Sequence, residues 1–354
     1  MSENVFYDGT KLLSLMDING KKPEIYMSTS NRNAGKTTYY NRWVMNRFLK
    51  HKEKFILLVR FGYELDEIED RFFKDIRPLF FPQFTMSSES MVRDKFRELY
   101  IQPNDQEELR ESCGYAMAIN DADLIKRYSH FFSDAERILF DEFQSESNKY
   151  CADEIIKFQS IHKSLARGRG EQVRYLPVIM IGNMVSLLNP YYTAMKISAR
   201  INSQTKFLKG KGFVLECNYN ESAAKAGEES GFMQAFDGSE YNKFASENVY
   251  LNDNKAFIEV MSGKSTYLCT LRYRGRDYGI RSFNEAGIVY CDDRPDKTFK
   301  NKICVTTDDH NINYVMLRNN DMYISNLRFY FNHGCFRFKD LQSKEAVLTM
   351  LSYN

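Results

Sequence analysis

What this chain lacks excludes several kinds of protein. Its 7 cysteines, Cys113, Cys151, Cys217, Cys269, Cys291, Cys304 and Cys335, include no Cys-x-x-Cys pair. An odd number spread so widely composes neither a disulfide framework nor a zinc site, so reduced thiols are expected. No sign of charge dominates: 49 Lys and Arg against 47 Asp and Glu leave a formal +2. Any contact with nucleic acid must therefore come from local clusters, not from a field over the whole molecule. No apolar run approaches the roughly 18 residues of a membrane span. The first residues, MSENVFYDGTKLLSL, have no basic stretch leading into an apolar one. No signal peptide is expected, and a soluble protein that stays in the cell that makes it is the natural reading. Internal repeats and low-complexity tracts are missing too.

What is present is ordinary globular chemistry with room for large cores, since aromatic residues make up 14%. The length predicts two domains. Through about residue 217 short apolar strands alternate with helical patterns: PEIYMSTS, then a helix over TTYYNRWVMNRFLKH, then KFILLVR (54–60), RILFDEF (137–143) and YLPVIMIGN (175–183). Continuous apolar runs separated by helices predict a mainly parallel sheet covered on both faces. The stretch from about Asp66 to Asn120 gives no clear pattern. Residues Asn218 to Gly231 (NYNESAAKAGEESG) are small, polar and glycine-bearing, as in a linker or helical connector. From 235 to 354 short strands follow in quick succession (AFIEV, TYLCTLRYRG, DYGIRSF, GIVYCDD), which predicts a second, antiparallel domain.

The chemistry concentrates in the first domain. Ser30-Asn31-Arg32-Asn33-Ala34-Gly35-Lys36-Thr37 follows the phosphate-loop pattern G-x-x-x-x-G-K-[ST] with Ser30 in place of the first glycine. In such a loop backbone amides curl around phosphates, Lys36 reaches the outer phosphates, and the Thr37 hydroxyl binds Mg2+. The helix that opens near Thr37 and Thr38 turns its positive end to the anion. A second apolar strand ends in Asp141 and Glu142, which are placed to hold Mg2+ through water and to polarise an attacking water. A strand can also end in acids simply because a loop begins there. Asn183, ending a third strand, could sense the terminal phosphate or merely cap the next segment. Arg167-Gly168-Arg169 could reach a neighbouring subunit's phosphate, or be solvated like most arginines.

Together these residues resemble the phi29-like DNA-encapsidation ATPases, the packaging motors of small tailed phages. FYDGTKLL, the loop, FILLVR, ILFDEF, RGR, GNMVSLLNPYY, AFDGSEY, AFIEV, TTDD and GCFRFKD occur in that family's order. The resemblance implies an ASCE-type P-loop ATPase domain over 1–217, a linker over 218–234, and a smaller RNase H-like α/β domain over 235–354. It implies a homopentameric ring that uses ATP and Mg2+ to thread double-stranded DNA through the portal of a prohead, with a packaging RNA as an optional further partner. Such a motor works in the host cytoplasm, docks transiently, and is absent from the mature virion.

Residue by residue, the resemblance places Lys36 and Thr37 on the loop's lysine and hydroxyl and Arg32 on the arginine within the loop. Asp141 and Glu142 fall on the metal-binding and water-activating acids, and Asn183 on the coupling motif. Arg167, then Arg169, fall on the trans-acting finger, and Lys126 or Arg127 on a basic residue, ahead of the acid strand, that also acts in trans. The inserted Gly170-Glu171-Gln172 bears on the reach of Arg167. A nuclease would need carboxylates around two metals roughly 4 Å apart. Asp237, Glu259, Asp292, Asp293, Asp308 and Asp309 do not show the spacing of such a triad. Arg272, Arg274, Arg276 and Arg281, interleaved with tyrosines, suit a phosphate backbone or an acidic portal surface, or form a plain solvated hairpin. Two alternatives stay open: a nuclease-competent large terminase, and a portal- or RNA-binding structural protein with a decayed ATP site.

Overall fold

A computed structural model of the chain describes residues 6–352 except 148, 168–171, 188, 198–199, 202–204, 236–256 and 317–320. Two compact units form, Met1–Asn252 and Asp253–Asn354.

The first unit holds strands β1 (Ile25–Ser30), β2 (Lys54–Val59), β3 (Phe84–Met91), β4 (Phe96–Pro103), β5 (Glu111–Ala118), β6 (Ala135–Phe140), β7 (Val178–Asn183), β8 (Phe207–Gly210) and β9 (Phe213–Cys217). Its helices are α1 (Thr10–Ser14), α2 (Lys36–His51), α3 (Ile68–Phe80), α4 (Ala122–Tyr128), α5 (Glu154–Leu165), α6 (Pro190–Ala194), α7 (Glu221–Glu228) and α8 (Gly231–Gln234). The strands compose one sheet in the order β3-β4-β5-β2-β6-β7-β1-β9-β8. From β5 to β9 every pairing is parallel; β3, β4 and β8 add antiparallel edges.

The apolar runs form buried strands because both faces are covered. In β2, Ile56 and Leu58 enter one core with Ile138 and Phe140 of β6. Phe55, Leu57 and Val59 point the other way, into a second core with Tyr40, Val44 and Phe48 of α2. Alternation with a period of two thus feeds both layers. Each such side chain, fully buried, contributes roughly 1.5–3 kcal/mol.

The stretch that gave no clear sequence pattern contains α3, the β3–β4 hairpin and β5, which pairs in parallel with β2 and antiparallel with β4. Its sequence, ESCGYAMA, is dominated by small residues, and packing explains one of them. A Cβ on Gly114 would stand 2.3 Å from the Phe55 carbonyl oxygen of β2. Gly114→Ala is expected to cost about 1–3 kcal/mol through overpacking, read as a lower urea midpoint with unchanged m.

Residues 218–234 carry α7 and α8, each capped by a side chain at its start: Asn220 accepts from Ala223 N–H and Ser230 from Met233 N–H. Among the described residues no helix is long and apolar enough to cross a membrane.

The second unit comprises β10 (Thr266–Tyr273), β11 (Arg276–Phe283), β12 (Ile288–Asp292), β13 (Lys302–Cys304), β14 (Val315–Met316), α9 (Asp321–Asn332), β15 (Phe336–Phe338) and α10 (Leu341–Ser352). Its sheet runs β14-β13-β10-β11-β12-β15. The central three strands are the expected antiparallel meander. The flanking strands pair in parallel, a feature too short to read from two or three residues. Of AFIEV, expected as a strand, the described residues 257–260 make one isolated bridge, Ile258 to Phe338, in place of a strand. Leu271, Ile280 and Phe338 pack against Ala346, Val347 and Met350 of α10.

Candidate functional site

Sheet order brings the expected residues together. β7 lies between β1 and β6, and Ser30 is in register with Asn183. The ends of three adjacent strands therefore deliver the loop, Asn183 and the acid pair to one edge of the sheet. They line a cleft of about 530 Å³ with Arg32, Lys36 and Thr37. The loop turns into α2 through Gly35 at φ 89°, a left-handed conformation that favours glycine.

Inside the cleft Lys36 is buried, and its ammonium donates to Ser30 Oγ (2.5 Å), Asn31 O (3.3 Å) and Asn183 Oδ1 (3.3 Å). Burial lowers its pKa to about 8, opposed by the charges of Asp141 and Glu216. It remains a cation at neutral pH. Ser30, the departure from the glycine pattern, thus gives the lysine an acceptor. Thr37 Oγ1 donates to Asp141 Oδ2 at 3.0 Å. Burial and the neighbouring Glu142 charge push Asp141 up to about 6, although the Thr37 bond opposes the shift.

Glu142 sits at φ 54°, with its side chain largely exposed and 3.6 Å from Arg71 of α3. Arg32 pairs with Glu146 at 2.8 Å, and the same carboxylate oxygen accepts from Asn183 Nδ2 at 3.2 Å. Ala34 is buried, its carbonyl accepting Tyr7 N–H; Asn33 is exposed with φ 59°, and Thr38 is half-buried in the first turn of α2.

Other expected residues do not line this cleft. Arg167 is exposed just beyond the end of α5. Lys126 and Arg127 are exposed on α4, Lys126 against Asp123 at 3.0 Å. Arg169 and Asp237 lie outside the described residues.

Three arrangements had no sequence signal. Arg60, at the end of β2, donates through Nη2 to the carbonyls of Glu142 (3.1 Å) and Phe143 (2.9 Å). Its Nε meets both carboxylate oxygens of Glu154, 3.1 and 3.0 Å away, in a buried pair. Beneath the loop, buried Glu216 accepts from Tyr7 Oη at 2.5 Å, and burial raises its pKa. Beside the loop, Phe6, Tyr7, Asp8, Tyr219, Asn220 and Lys225 line a second pocket of about 510 Å³.

In the second unit the acids disperse. Glu259 pairs with Arg337, Asp292 with Arg281 and Asp293 with Lys339. Asp309 is buried, accepting the backbone N–H groups of Arg274 and Gly275, while Asp308 is exposed. Among the described residues no three His, Cys, Asp or Glu side chains are grouped to hold a metal. The four hairpin arginines have partners within the unit: Arg272 with Asp277, Arg274 with Glu345, Arg276 with Gln342 and Arg281 with Asp292.

A phosphate loop and an acid pair converging at one edge of a parallel sheet define the class of P-loop nucleotide hydrolases. Within that class, the chain belongs to the podovirus DNA encapsidation protein (Gp16) family, which it matches over residues 1–352. It is 26% identical over 342 residues to the DNA packaging protein of Bacillus phage phi29, covering 96% of this chain and 94% of that one. It is 25% identical over 313 residues to the DNA packaging protein of Bacillus phage B103, covering 87% and 90%. Among solved structures, a chain of the bacteriophage Phi-29 viral genome packaging motor assembly matches with a TM-score of 0.66 and 23% identity, over 98% of this chain and 99% of that one. At that identity the likeness speaks for the fold.

Proposed function

We propose that this protein, in a homopentameric ring docked on the portal of a prohead in the host cytoplasm, hydrolyses ATP at subunit interfaces to drive double-stranded DNA inward. The observation that carries the reading is the convergence of Lys36, Thr37, Asp141, Glu142 and Asn183 on one cleft. The first unit is then an ASCE-type ATPase domain, with the Asn183 strand inserted between the loop strand and the acid strand.

The loop from Ser30 to Thr38 holds the phosphates with its amides, and Lys36 exchanges Ser30 Oγ and Asn183 Oδ1 for phosphate oxygens. Thr37 Oγ1 and Asp141 Oδ2, adjacent at 3.0 Å, are hard oxygen donors of the kind Mg2+ takes. When bound, that ion neutralises charge on the outer phosphates. Glu142 accepts a proton from the attacking water. Asn183 touches both Lys36 and Glu146, so it can register loss of the terminal phosphate. Arg167, exposed beyond α5, serves the neighbouring subunit's site, with Arg169, Lys126 and Arg127 as further trans-acting candidates. The base lies in the pocket of Phe6 and Tyr219, whose rings offer stacking faces. The second unit is read as RNase H-like, nuclease-derived and non-cutting; its support is a meander extended beside its first strand by parallel strands.

The deciding measurement is ATP turnover with and without double-stranded DNA and proheads. Stimulation supports the motor; absence of turnover favours a structural protein with a decayed site. A pH series adds a signature. A carboxyl must be deprotonated to hold the metal. With Asp141 raised to about 6, Mg2+-dependent turnover is expected to be full above neutrality and to fall as pH drops through about 6. Raising Mg2+ should restore it.

A further inference from the structure

Asn31 occupies a loop position where the phosphate pattern tolerates any residue, yet it is fully buried, does not line the phosphate cleft, and its side-chain amide pairs with Asn220. Nδ2 donates to the carbonyl of Asn220 at 3.1 Å, and Oδ1 accepts the Asn220 N–H at 2.9 Å. Pairing with both backbone groups of one residue imitates a strand ladder, so the contact is a two-point clasp with fixed direction. The clasped residue is the root of α7: Asn220 Oδ1 accepts from Ala223 N–H at 2.9 Å and caps the helix. Just upstream, Asn218 N–H donates to Thr29 O of β1 at 2.8 Å. Of α7 itself only Ala224 is buried, so its root is held by hydrogen bonds more than by packing. The stretch Asn218–Lys225 also walls the pocket beside the loop.

We propose that Asn31 is a positioning residue for the motor reaction, transmitting the state of the phosphate loop to the connector of α7 and α8. When phosphates reshape the loop, Asn31 moves with its backbone and carries Asn220, hence the start of α7. A base in the adjoining pocket presses on the same stretch. The inference rests on the ATP-site reading above.

The test is hydrogen exchange on the full chain, wild type and Asn31→Ala, with and without a non-hydrolysable ATP analogue and Mg2+. In the wild type, nucleotide should slow exchange at residues 35–38 and also change it across 220–228. In Asn31→Ala, the response at 35–38 should persist while that at 220–228 disappears, and without nucleotide the 220–228 amides should exchange about 10-fold faster. An equal connector response in both proteins, or none in a wild type whose loop is protected, overturns the inference and leaves the ATP site standing. No protection at 35–38 in the wild type overturns both. Should Asn31→Ala fail to fold, Asn31→Asp keeps the size and the acceptor but cannot donate to the Asn220 carbonyl, and the same outcomes apply.

Discussion

Glu142→Gln is expected to lower ATP turnover by about 10²–10⁴-fold, the contribution of a positioned general base, with little change in KM. The amide keeps the shape of the side chain but cannot take a proton from water. Its backbone N–H still reaches Asp141 Oδ1 (2.9 Å), and Arg60 still holds its carbonyl, so the turn survives. The loss then belongs to proton transfer and not to folding; nucleotide binding followed by fluorescence checks this. Mixing subunits of this variant with Arg167→Ala subunits extends the test to the ring. An arginine acting in trans restores part of the turnover, because an intact Glu142 can meet an intact Arg167 across an interface. No restoration in the mixture counts against Arg167 as that residue.

The second large effect is on stability. Glu154→Ala is expected to destabilise the first unit by about 3–5 kcal/mol, because it strands a buried guanidinium. The pair is almost wholly shielded, with side chains 8% and 2% exposed. Glu154 also accepts from Tyr191 Oη (2.7 Å) and Cys151 N–H (2.9 Å), so those donors would be orphaned too. Thermal unfolding should show a fall in Tm on the order of 10 °C. Tyr191→Phe removes one donor and leaves the ion pair, so about 1 kcal/mol is expected. An equal loss in the two variants would mean that the charge pairing contributes nothing beyond its hydrogen bonds.

The two arrangements differ in how far the sequence reveals them. Glu142 was legible because an apolar run ending in Asp-Glu is a local pattern. Arg60 and Glu154 were not: an arginine after a strand and a glutamate at a helix start look like ordinary surface residues, and only their pairing across 94 positions gives them meaning. The loop shows both cases. Gly35-Lys36-Thr37 announces a phosphate site because the turn into a helix needs a residue at ease with positive φ. Ser30 looks like decay of the pattern and Asn31 like a residue of no account, yet one receives Lys36 and the other clasps Asn220. The hairpin arginines point the opposite way. Their spacing suggests a basic stripe, whereas each guanidinium has a partner in its own unit.

By itself the sequence determined the phosphate loop, the acid pair, the buried parallel strands and the family. These depend on backbone conformation and on periodicity over a few residues, which a linear pattern records. The tertiary structure alone decided that the Asn183 strand lies between the loop and acid strands. It likewise decided that β5 joins the sheet beside β2, close against Phe55, that Arg60 and Glu154 brace the acid turn, and that the loop grips a residue 189 positions away. Those contacts join residues far apart in the chain, and their energy appears only once burial has removed water from both partners.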